Sequence, residues 1–229
     1  MFVRTNYNAA MRSELPRSVN ERLLETAIEQ FGRKGREAAS TRLIATAAGT
    51  AMSSITYHYG GKEGLYLAAA RHIAKEQMEA GLAGALEKAA LAPDATPTQA
   101  LEGIYALAEG MLAMLLDPRC AAWARFIVRE QMEPTAAFEI LYEAVIEKVA
   151  GRLVGLIERV GQGRWSAEEA RLKAVTLFGQ ILVFRVACET VARVTGWKEI
   201  DSERAARIAL VVRANCRAIL ETDTSEEDG

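Results

Sequence analysis

At three places along this chain a Ser or Thr followed three positions later by Glu or Gln stands directly ahead of an apolar run at helical spacing. Ser18-Val19-Asn20-Glu21 leads into Leu23, Leu24, Ala27, Ile28 and Phe31. Thr96-Pro97-Thr98-Gln99 leads into Leu101, Ile104, Leu107 and Leu115, and Ser166-Ala167-Glu168-Glu169 into Val175, Leu177, Phe178 and Ile181. Such a box satisfies backbone N–H groups that lack partners only at a helix N-terminus, so the three boxes mark three helix starts. With five prolines, few aromatics and no convincing alternating run for a strand, the chain reads as all-α.

Punctuation divides the rest. Lys62 and Glu63 open a helix expected to run to about Leu91, before Ala92-Pro93-Asp94 breaks it; Asp117-Pro118 and Glu133-Pro134 are further breaks. Phe138, Leu141, Tyr142, Val145, Val149, Leu153, Leu156 and Val160 form one stripe ending at Gly161. The helix behind Ser166, expected to reach Val194, is apolar around nearly its whole circumference. Burial on all sides needs its own domain on one face and a second subunit on the other. A last helix spans about 201–220, residues 1–17 read as a flexible arm, and 221–229 as an acidic disordered tail. There is no internal repeat.

Near the front two short helices lie close together. Thr41 caps one carrying Leu43, Ile44 and Ala47; Gly49 ends it, and Ser53 or a neighbour starts another around Ile55. Two short helices across a glycine-containing turn make a helix-turn-helix. Behind helix one, ended by Gly35, this gives a three-helix head over 18–66 and a larger helical domain over 67–220. The net charge of −2 hides an asymmetry: residues 1–75 hold 11 Lys+Arg against 6 Asp+Glu, the remainder 17 against 24. A basic head on an acidic body approaches phosphate with one end only.

Cys120, Cys188 and Cys216 are odd in number, far apart and not joined by further ligands at metal spacing, so neither a disulfide framework nor a metal site is expected. A reducing cytoplasm fits. The first 17 residues lack an apolar signal core, and later apolar stretches are cut by Arg, Glu or Gln before they would span a bilayer, so no membrane is expected.

In the head, Ile44, Ala45, Ala48 and Ile55 suit the contact between the paired helices. Met52, Ser53, Ser54, Thr56, Tyr57 and His58 offer polar or adaptable groups to a major groove, and Thr41, Arg42 and Lys62 flank them as phosphate contacts. The bland alternatives are solvated charges for Arg42 and Lys62, a core role for Tyr59, a structural role for His58, and an exposed helix position for His72. The segment resembles the TetR family of repressors at Phe31, Gly35, Thr41, Ile44-Ala45, Ala48-Gly49, Tyr57 to Tyr59 and Lys62-Glu63-Gly64-Leu65. It departs at Thr50-Ala51, where Val-Ser is common, at Thr56, where Tyr is frequent, and at Gly60-Gly61, where Pro or Asn-like turn residues are more usual, which keeps the turn but removes side-chain contacts. Residues 126–138 are similar to the CecR-type C-terminal domain of that family. The resemblance implies a homodimer that binds palindromic operator DNA, with the last two helices of each copy in a four-helix interface and a small-molecule effector changing the separation of the heads.

For the effector, the polar groups set in apolar helix are the candidates: Arg129 and Glu130 beside Trp123 and Phe126, and Gln180 and Arg185 beside Phe178. The alternative is pairing along the helix, Arg185 with Glu189 and Arg129 with Glu133. An enzyme is disfavoured, because only His58 and His72 are present and no nucleophile–base set or carboxylate pair assembles, and no cofactor motif is found. An architectural DNA binder without effector would leave the large acidic domain without a task.

Overall fold

The computed structural model describes residues 18–77 and 82–221, and every regular element among them is helical. The expected arm at 1–17 and all of the expected tail beyond Glu221 lie outside the described residues.

All three capping boxes form. Ser18 Oγ accepts from the Glu21 N–H at 3.1 Å while the Glu21 carboxylate accepts from the Ser18 N–H at 2.9 Å, opening α1 (Val19–Ala38). Leu23, Leu24, Ala27, Ile28 and Phe31 face inward, and Gly35 leaves helical geometry at φ 78° before a last short turn. In α2 (Thr41–Ala47) the cap is Ser40, which accepts from the Leu43 N–H at 3.4 Å; the expectation that Thr41 would cap is corrected by one position. α3 spans Met52–Tyr59 and α4 Lys62–Gln77. Of the helix expected from Lys62 to Leu91, the described residues include Lys62–Gln77 and α5 (Ala83–Lys88), which is capped at Ala89, two residues short of the expected end; 78–81 lie outside the described residues.

The central helix of the larger domain is α6 (Pro97–Leu116), opened by the Thr96–Gln99 box. Contrary to the expectation that no stretch is long enough, α6 has the length and hydropathy to cross a bilayer; Ile104, Leu107, Met111, Leu112 and Leu115 are however buried in this chain's own core. α7 (Cys120–Met132) lies between the Asp117-Pro118 and Glu133-Pro134 breaks. The next stripe folds as α8 (Ala136–Leu141), a π-helical turn over Tyr142–Ile146, and α9 (Glu147–Gly161), continuous in backbone direction. Its buried positions Leu141, Val145, Val149 and Leu153 recur every four residues. On a regular α-helix each step of four drifts by about 40°. The wider π turn helps keep them on one face.

α10 (Ala167–Val186) starts from the third box and ends earlier than expected. At Ala187 (φ −118°, ψ 35°) the chain bends by 85° into α11 (Cys188–Thr195), so the helix expected to reach Val194 is two. α12 (Ser202–Glu221) returns across α6 and α10. Lys173 ties α10 to α12, its buried ammonium donating to the Ile219 carbonyl at 2.8 Å and lying 4.5 Å from the Trp165 ring centre. Inward, α10 buries Ala170, Ala174, Leu177 and Ile181; outward, it exposes Leu172, Val175, Val183 and Val186.

Candidate nucleic-acid interface

The head is built around Ile44, Ala45, Ala48 and Ile55, all buried between α2, α3 and their neighbours. The turn between the helices is tied by the Gly49 N–H to the Thr46 carbonyl at 3.1 Å and the Thr50 N–H to the Ala45 carbonyl at 3.0 Å. With Ile55 inward at 1% exposed, the opposite face of α3 is outward, and Tyr57 is 85% exposed. Met52, Ser53, Thr56 and His58 share that solvent side, and Arg42 is exposed on α2. Eight residues of α-helix span about 12 Å, the width of a major groove. Tyr57 and His58 meet edge to face at 4.9 Å.

Three predicted contacts, Thr41, Ser54 and Lys62, are half-buried. Thr41 sits in the first turn of α2, and the Ser54 hydroxyl accepts from Thr50 Oγ1 at 3.0 Å. Ala51 at the N-cap of α3 makes no side-chain cap, and the hydroxyl pair ties the turn to the first turn of the helix. Tyr59 is structural: half-buried, it donates its hydroxyl to Asn20 Oδ1 on α1, and burial pushes its phenol above the ordinary value. His72 is half-buried on α4 rather than exposed.

Lys62 has work inside the protein. Its ammonium donates to the Glu37 carbonyl at 2.6 Å, beside the Arg36–Glu63 ion pair at 2.9 Å, so the start of α4 is fastened to the end of α1. The turn before it needs its glycines. Gly60 and Gly61 have φ of 72° and 116°, and a Cβ on Gly64 would fall 1.7 Å from the Tyr59 carbonyl oxygen.

The seven residues expected around an effector do not come together as one set. Trp123 and Phe126 are buried on α7, with Phe126 stacked on Tyr66 of α4 at 4.7 Å. Arg129 does not pair with Glu133; it donates to the Gly32 and Arg33 carbonyls of α1 at 2.9 and 3.0 Å. Glu130 accepts from the Tyr66 hydroxyl at 2.5 Å and from Thr135 at 3.1 and 2.9 Å. Nor does Arg185 pair with Glu189, which bonds Arg193 instead; Arg185 donates to the Leu115 and Asp117 carbonyls and closes the C-terminus of α6. These three charges meet backbone or side-chain partners from other elements. Phe178 is half-buried on α10. Gln180 donates to Cys216 Sγ at 3.4 Å, and its buried Oε1 accepts from none of the described residues. Neither cavity found at α6, α9 and α12 is lined by any of the seven. Tyr66, Glu29 and Gly32, which meet α7 from the head, carry no motif in the sequence.

Residues 23–69 match the family described as bacterial regulatory proteins, tetR family, and residues 97–222 match the C-terminal domain of the HTH-type transcriptional dual regulator CecR. The chain is 34% identical over 208 residues to the HTH-type transcriptional dual regulator CecR of Shigella flexneri, covering 88% of this chain and 91% of that one. Among solved structures, Mycobacterium smegmatis AmtR matches with a TM-score of 0.60 at 19% identity over 93% of this chain and 91% of that one. A TetR-family member from Streptomyces coelicolor A3 matches with a TM-score of 0.58 at 22% identity, covering 90% and 92%. At these identities the two structures speak to fold alone.

Proposed function

Since the chain belongs to the TetR family of transcriptional regulators and carries a CecR-like C-terminal domain, we propose that it is a homodimeric repressor released from a near-palindromic operator by a small-molecule effector. It is a DNA-binding regulator of transcription and not an enzyme. The observation that carries the reading is the division of α3 into a buried Ile55 side and an exposed side of Met52, Ser53, Thr56, Tyr57 and His58. Arg42 and Thr41 serve the phosphates, with Lys62 placing the start of α4 and adding its charge. A regulator of this class works beside the chromosome, in the bacterial cytoplasm.

Support for the homodimer comes from α10, whose exposed Leu172, Val175, Val183 and Val186 recur at about 3.5-residue spacing through Gly179, with Leu210 and Val211 exposed on α12. Covered by a second copy, this face places two heads about a two-fold axis, reading half-sites roughly one turn of DNA apart, about 34–36 Å. We assign DNA binding to 18–66 and effector binding and dimerisation to 67–220. For the effector, the buried Gln180 Oε1 is an acceptor without a donor among the described residues, which suits a mostly apolar molecule offering one N–H or O–H. Phe178 and Trp123 are the aromatic candidates to flank it. Footprinting on fragments selected from the source genome, with and without candidate ligands, tests the reading; protection that no ligand relieves would leave a DNA binder without the release step.

A further inference from the structure

α7 holds the head through three side chains from neighbouring turns. Arg125 pairs with Glu29 at 2.6 Å, Arg129 donates to the two carbonyls near the end of α1, and Glu130 accepts from Tyr66 on α4. The backbones are close: a Cβ on Gly32 would lie 3.2 Å from the Ala122 carbonyl oxygen and from Arg125 Cβ. Phe31 of α1 meets the Tyr66 ring edge-on at 4.9 Å, and Phe126 of α7 stacks on its face. One aromatic cluster therefore joins α1, α4 and α7.

Glu130 differs from the two arginines in burial. Its residue is 2% exposed, and the donors to its carboxylate are neutral: the Tyr66 hydroxyl on Oε1, and the Thr135 N–H and hydroxyl on Oε2. A buried carboxylate held this way tolerates little opening, because tilting α4 away from α7 removes the Tyr66 donor and leaves a desolvated charge short of a partner. The exposed Arg125–Glu29 pair has water to fall back on. The joint is thus stiff at Glu130 and yielding at its rim.

Resting on the reading of the head as the DNA-binding part, we propose that Glu130 is a positioning residue for DNA recognition: through Tyr66 it fixes the angle of the head against the C-terminal domain. Effector action on head spacing then has to pass through α7, since the head does not turn while this contact is closed.

The test needs no DNA, so its failure is separate from failure of the DNA reading. Nitroxide labels go on Thr46→Cys of α2 and Glu158→Cys of α9, both exposed, in a Cys188→Ser full-length chain; Cys120 and Cys216 are buried and stay unlabelled. Labelled chains are diluted with unlabelled ones so that distances within one chain dominate. Pulsed electron double resonance should give one narrow distance distribution for the parent and for Arg125→Ala, and a broadened or shifted one for Tyr66→Phe. Tyr66→Phe combined with Glu130→Met carries no stranded charge; it should regain the melting temperature lost by the single variant yet keep the broad distribution. If Tyr66→Phe does not fold, the double variant gives the same readout. A narrow parental distribution in the double variant overturns the proposal.

Discussion

The Lys62 ammonium donates to the Glu37 carbonyl at 2.6 Å, so the cation that opens α4 also closes the end of α1. Lys62 and Arg42, alike in sequence as flanking charges, therefore predict different losses. Lys62→Ala should lower the stability of the protein by about 1 kcal/mol, read as a shift in urea midpoint, because the carbonyl loses its donor. Arg42→Ala should leave that midpoint in place and reduce the slope of log affinity against log salt by about 0.9, the loss of one phosphate contact. An unchanged urea midpoint in Lys62→Ala would show that the carbonyl contact contributes nothing.

On α3 the two faces predict opposite phenotypes. Ile55→Ala, at 1% exposed, should cost roughly 2–5 kcal/mol of stability and take DNA binding with it. Tyr57→Ala, at 85% exposed, should melt within about 0.5 kcal/mol of the parent yet lose preference for the operator over unrelated DNA. Competition binding with specific and unrelated duplexes measures the difference.

A charge on the outer face of α10 should dissolve the dimer. Val183→Glu or Val175→Glu is expected to sediment as a monomer, or to aggregate, at concentrations where the parent sediments as a dimer. A parent that is monomeric at micromolar concentration removes the basis for two coupled heads.

The three thiols should separate cleanly by reactivity. Burial pushes Cys120 and Cys216 up to about 11 from 9.0, while Cys188 is exposed. A maleimide near neutral pH should label one thiol per native chain, and three after unfolding. Because the folded values of the two buried thiols are raised, the stability they contribute is complete below pH about 9 and is lost as pH rises through about 11. Titrating the urea midpoint upward from neutral pH should show that decline begin near pH 9, and a flat profile to pH 11 contradicts it.

Phe126→Ala is no simple probe of ligand binding. Its ring is 1% exposed and stacked on Tyr66, so its loss should cost about 3–5 kcal/mol and loosen the head as well. Gln180→Leu is cleaner, removing the unpartnered acceptor with little change of volume; it should leave ligand-free DNA binding near normal and weaken the response to the inducer. An unaltered inducer affinity would place the effector elsewhere.

Much of the architecture was legible because its signals are local. Capping boxes, helical stripes and Pro breaks act within a few residues, and all three boxes are formed. Two features have long-range causes. Nothing in the residues near Ala187, itself a good helix former, announces an 85° bend, and the apolar pattern runs straight across it. The charged groups on α7 and α10 look from sequence like pocket polar groups, yet Arg129 meets carbonyls 97 and 96 positions away and Arg185 meets them 70 and 68 away. Spacing along one helix says which side chains are neighbours, not which distant backbone awaits them. The four-residue spacing of Leu141, Val145, Val149 and Leu153, by contrast, is a local sign of the π turn.

That π turn over Tyr142–Ile146 bears on how such a chain tolerates insertion and deletion over evolutionary time. A π turn is what results when one extra residue enters an α-helix and the backbone swells locally rather than rotating everything downstream. Here the helices on either side, α8 against α4 and α9 against α6, both remain seated. Chains one residue shorter at this place, with an unbroken helix through it, are therefore viable neighbours in sequence space, whereas a single-residue deletion in the middle of α6 would turn its buried side by about 100° and find no such slack.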